Sequence, residues 1–127
     1  KHSFVYSFYP HSQDLIRSNV IEESTLLNHP PILFDGYENL STESPVDFIG
    51  KGIEISAVKK SEFKNELIIR TVETLGRNSE GDIQFTGDLM ETNLMEQKNI
   101  GTKKNVKESF KIRLKPFEIK TFRIKKR

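Results

Sequence analysis

Along most of this chain apolar and polar residues alternate, the period of a strand with one buried face. Ser3–Tyr9 sets Phe4, Tyr6 and Phe8 against Val5, Ser7 and Tyr9, and Pro10 ends the run. From Ser12 to Leu27 the period changes to that of a helix. Leu15, Ile16, Val20, Leu26 and Leu27 share one stripe, Ser12 is an acceptable N-cap, and Asp14 suits the positive end. An amphipathic helix is expected over 12–27, stopped by His29-Pro30-Pro31. Residues 32–50 hold Gly36, Pro45 and Gly50 among polar residues, the composition of a linker or crossover.

The remaining strands follow quickly. Ile53–Val58 and Leu67–Val72 flank a polar turn and predict a hairpin, whose more apolar second strand belongs in the middle of a sheet. Gly76–Gly81 reads as a loop, Asp82–Leu89 as one alternating strand and Leu89–Met95 as a further extended piece. Gln97–Asn105 is a Lys-rich turn before Val106–Leu114, where Phe110, Ile112 and Leu114 are in register. The last strand, Lys115–Ile124, changes parity: Phe117 and Ile119 occupy one set of alternate positions, Phe122 and Ile124 the other. A bulge near Lys120-Thr121 or a change of buried face would produce this, with Phe117 and Ile119 in the core and Phe122 and Ile124 turned toward a neighbour. The expected fold is mainly β, an antiparallel β-sandwich of about 6–8 short strands preceded by one strand and one helix. Three segments follow: 1–31 as the end of a preceding β-domain, 32–50 as linker, and 51–127 as a terminal sandwich.

Composition narrows the class. The 127 residues can hold one ordinary core, and 35% hydrophobic against 30% charged residues, without a long apolar run, makes a surface-rich protein with no membrane span expected. A chain that opens on Lys1-His2 and runs into alternating residues shows no signal-peptide pattern and reads as a piece of a longer polypeptide. Cysteine is absent, which removes disulfides and thiolate metal sites and fits a cytoplasmic location. Twenty basic residues against eighteen acidic ones leave only local excesses, at Lys103-Lys104 and Lys125-Lys126-Arg127. Without interleaved aromatic residues these do not form a nucleic-acid face.

Candidate chemistry is sparse. His2, His11 and His29 occur singly, in no metal-ligand spacing. Glu22-Glu23, Glu91 and Glu96 are scattered and read as solvated charge, whereas a glycosidase needs two carboxylates facing each other at roughly 5–10 Å. No Ser lies in a G-x-S-x-G context, and Gly76–Gly81 lacks the Lys-Ser/Thr of a phosphate loop. No catalytic, cofactor-binding or metal-binding residue is therefore assigned. Arg70, inside an apolar strand, must reach a carboxylate or solvent, and Glu73 lies on the opposite face. Arg70 is expected in a structural salt bridge or at a contact with another domain, and Tyr9 and His11, at a strand end, are further candidates for such contacts.

Five collinear pieces carry a family resemblance. His2–His11, followed by a helix, resembles the late part of the large C-terminal β-region in α-mannosidases of glycoside hydrolase family 38. Ile55–Glu62, then Leu67–Arg70 with Glu73 and Gly76-Arg77, looks like that family's terminal β-domain, and Asp88–Glu91 and Pro116–Ile124 fit its closing segments. The resemblance implies a retaining, zinc-dependent parent enzyme acting on terminal α-mannosides. Its zinc ligands, aspartate nucleophile and acid/base would lie in an N-terminal catalytic region that no position here matches. This chain would then be a non-catalytic support, partnered by the catalytic and β domains of the same polypeptide and able to self-associate through strand 3–9. An autonomous carbohydrate-binding module is the alternative, and the absence of Trp weighs against it.

Overall fold

The computed structural model describes residues 1–33, 35, 36 and 44–126, so much of the expected linker lies outside the described residues. The chain divides into two compact units, Lys1–Thr42 and Glu43–Arg127.

In the first unit Ser3–Tyr9 forms no strand, contrary to its alternation; Phe4, Val5, Tyr6 and Phe8 are between 82% and 88% exposed. A strand is made by a neighbour that takes its N–H and C=O groups, and every strand pairing among the described residues lies in the second unit. The helix is also shorter than expected. It is α1, Val20–Asn28, preceded by a separate turn in which the Asp14 carbonyl accepts from Arg17 N (3.1 Å) and Ser18 N (2.9 Å). Asp14 Oδ1 takes the Arg17 N–H as well, a local bond that competes with helix propagation. Asn19, not Ser12, is the N-cap residue, and the helix ends at His29 before the two prolines.

The second unit is the sandwich. Its strands are β1 (Asp47–Gly50), β2 (Ile53–Lys60), β3 (Leu67–Glu73), β4 (Ser79–Gln84), β5 (Gly87–Thr92), β6 (Lys104–Val106), β7 (Ser109–Leu114) and β8 (Ile119–Lys126). They form a three-stranded sheet, β1-β4-β7, and a five-stranded sheet, β2-β3-β8-β5-β6, with every pairing antiparallel. The expected hairpin is β2–β3, and β3 is interior as its apolar content required. Asp47–Gly50, expected as linker, is a strand because it pairs with β4.

The stretch 82–89 that reads as one strand is divided between the two sheets. β4 and β7 pair in one sheet while their continuations β5 and β6 pair in the other. Across the bend Phe85 N donates to Glu108 O (2.9 Å) and Thr86 Oγ1 to Lys107 O (2.8 Å), so a single two-stranded ribbon folds over the core. Its alternation survives because pairing is barely interrupted. Glycine is required at the corner: a Cβ on Gly87 would lie 2.2 Å from Lys125 O.

Ile53, Ile69, Leu89, Val106, Phe122 and Ile124 from the five-stranded sheet meet Ile83, Ile112 and Leu114 from the other, with Val46 and Phe85 beside them. Phe122 and Ile124 thus fill the core, the reverse of the expected assignment. Phe117 precedes the strand, in a turn at φ +57°, and is 71% exposed; Ile119 is 48% exposed. No bulge is needed, since β8 keeps unbroken register with both β3 and β5. On the opposite face of β8, Thr121 and Arg123 are buried too.

Candidate functional site

Why the second face of β8 is buried leads to a polar cluster on the sandwich. Arg70 and Thr121 are cross-strand partners, as are Ile68 and Arg123, so all four share the outer face of the five-stranded sheet. The segment after β5 lies against this face. Asn93 shapes it, accepting through its side chain from Gln97 N (2.9 Å) and Lys98 N (3.0 Å) and through its carbonyl from Glu96 N. These bonds hold Glu96 at φ +62°, a left-handed conformation uncommon outside glycine.

Each charged group beneath is matched. Arg123, 8% exposed, places Nε 2.7 Å from Glu66 Oε2 and donates Nη2 to Asn99 Oδ1 at 2.7 Å. Glu66 Oε2 is buried without a conventional hydrogen bond, so the guanidinium is what compensates its charge. Lys59 Nζ reaches Glu96 Oε1 at 2.7 Å and Glu62 Oε1 at 3.3 Å. The hydrogen bond from Lys59, then burial in the opposing direction and the Glu62 N–H, leave the Glu96 carboxyl below its ordinary value; the same contact raises Lys59.

Arg70 joins this arrangement. It donates Nη2 to Leu94 O (3.0 Å) and Nε to Thr121 Oγ1 (3.4 Å), with Glu96 near enough for its positive charge to act on that carboxyl. The expected salt bridge is replaced, among the described residues, by hydrogen bonds to a backbone carbonyl and a hydroxyl. Glu96, expected as solvated charge, is a buried anion because the turn points it inward.

A second buried carboxylate ties two loops together at the end of β3. Glu73 Oε1 accepts from Leu75 N (3.0 Å) and Ser79 Oγ (3.0 Å); Oε2 accepts from Gly76 N (2.8 Å) and Phe117 N (3.0 Å). Burial pushes its pKa up, but the N–H groups of Phe117, Leu75 and Arg77 and the Ser79 hydroxyl outweigh it and hold the group low.

Tyr9 and His11 belong to the first unit, with ring centroids 6.4 Å apart and ring planes 24° from parallel. They line a cavity of about 480 Å³ with Val20, Glu23, Leu26 and Leu27. Among the described residues no three His, Asp or Glu side chains converge as a metal site. Arg123, Glu66, Lys59 and Asn99 were not singled out from the sequence. The signal for Arg123 was present: like Arg70, it is a guanidinium between apolar strand residues.

Two antiparallel sheets on one core, with buried charges that fasten loops to a sheet, define a structural β-sandwich. The family model for the glycosyl hydrolases family 38 C-terminal beta sandwich domain matches residues 52–122, and the chain belongs to that family. Among curated proteins, Alpha-mannosidase G of Dictyostelium discoideum is 30% identical over 135 residues, taking in 96% of this chain. The chain spans only 12% of that relative's length.

Proposed function

We propose that this chain is the non-catalytic supporting domain of a longer α-mannosidase, whose other domains remove terminal α-mannosyl groups with retention at a zinc site. The observation that carries this reading is the coincidence of the family match, 52–122, with the two-sheet core and its clamps. The zinc would be held elsewhere in the longer enzyme: the buried carboxylates here are already engaged by Lys59, Arg123 or backbone N–H groups, and among the described residues no three His, Asp or Glu side chains converge. The domain contributes stability and a packing surface.

The test compares the 127-residue chain with the longer enzyme on an aryl α-mannoside in the presence of zinc. Turnover is expected from the longer enzyme alone, with a lower Tm when residues 44–126 are removed. Zinc-dependent turnover by the isolated chain would overturn the reading.

A further inference from the structure

Beside the polar clamp, the outer face of the five-stranded sheet is grooved. A cavity of about 310 Å³ lined by Phe63, Glu96 and Gln97 adjoins one of about 240 Å³ lined by Asp88, Lys103 and Lys125. Lys64, Asn99 and Arg123 line both, so the two form a continuous groove with the buried guanidinium in its floor. At one end the groove has an apolar wall, Phe63, which is 60% exposed. The other end is basic, with Lys64, Lys103, Arg123 and Lys125 against Glu66 and Asp88, a net charge of +2.

Those two carboxylates are already used, Glu66 by Arg123 and Asp88 by Lys103 at 2.9 Å. Lys64 and Lys125 are not ion-paired among the described residues. Arg123 spends Nε and Nη2 on Glu66 and Asn99; Nη1 has no described partner, and it is not among the groups sealed from solvent without one.

We propose that this groove docks an acidic segment with an adjoining apolar residue, supplied by the remainder of the same polypeptide. The inference rests on the supporting-domain reading and names the face through which that support acts. Acidic side chains would meet Lys64, Lys125 and Arg123 Nη1, while the apolar residue packs against Phe63. A tethered partner has a high effective concentration, so a groove of moderate affinity suffices. Charge complementarity of this kind fixes register and makes docking salt-sensitive.

Hydroxyl-radical footprinting of the isolated chain and of the longer enzyme tests this. In the longer enzyme Phe63 should react several-fold more slowly, because an interface core excludes water. Lys64→Glu with Lys125→Glu, at two exposed positions, should restore the reactivity of Phe63. Protection that survives this charge reversal would overturn the acidic partner. Unchanged Phe63 with protection at Ile49 or Phe117 would overturn the groove but leave the supporting role. Protection nowhere on the sandwich would overturn both.

Discussion

Glu73→Gln tests how a single buried anion organises one end of the sandwich. The wild-type carboxylate takes two bonds on each oxygen, from Leu75 N and Ser79 Oγ on one side and Gly76 N and Phe117 N on the other. Glutamine has nearly the same shape but one oxygen, so two donors are left facing its NH₂ group. Hydrogen bonds to a charged group contribute roughly 1.5–3 kcal/mol each, so losing two predicts a destabilisation of about 3–6 kcal/mol. Because Glu73 is fully buried, solvent does not screen this loss. That is a large part of the ~5–15 kcal/mol typical of a domain. In urea, with an m-value of about 2 kcal/mol/M, the midpoint should fall by roughly 1.5–3 M.

Titration gives an independent signature. The folded pKa of Glu73 lies below its ordinary 4.5, so its stabilisation is fully present above pH 4.5 and is lost as pH falls through the lower folded value. Glu73→Gln should remove this acid-dependent component. Glu118→Gln is the control, since Glu118 accepts from Lys115 N in an exposed turn. A midpoint shift for Glu73→Gln no larger than that for Glu118→Gln, or an unchanged acid limb, would refute the assignment.

Two further outcomes follow from the packing. Phe122→Ala should cost about 3–5 kcal/mol, while Phe117→Ala, despite its place in the same sequence run, should cost less than about 1 kcal/mol; thermal denaturation of both variants checks this. Gly87→Ala drives a Cβ against Lys125 O and should cost about 3 kcal/mol or more, whereas Gly101→Ala, with open space around it, carries only the strain of its positive φ, ~1 kcal/mol. Equal midpoints for the two glycine variants in urea would refute the folded-ribbon corner.

The sequence determined the elements whose causes are local. Period-two alternation marked β2 and β3 and the ribbon stretches 82–89 and 106–114, though not the start of β4 at Ser79, read as loop, or of β6 at Lys104, read as turn; His29-Pro30-Pro31 ended α1 because proline cannot continue a helix, and the missing cysteines removed a whole class of staples. A guanidinium inside an apolar strand announced that Arg70 needed partners. What alternation cannot state is where a strand changes sheets, so the corner at Phe85–Gly87 appeared only in three dimensions. Nor can it say which face is covered. Phe122 and Ile124 look inward because the other sheet stands there, and Arg123 is buried because Glu66 and Asn99 converge on it from elsewhere in the chain. Ser3–Tyr9 makes the same point in reverse: its alternation is that of a strand, yet a strand exists only where a neighbour completes its hydrogen bonds, and that is a property of tertiary structure alone.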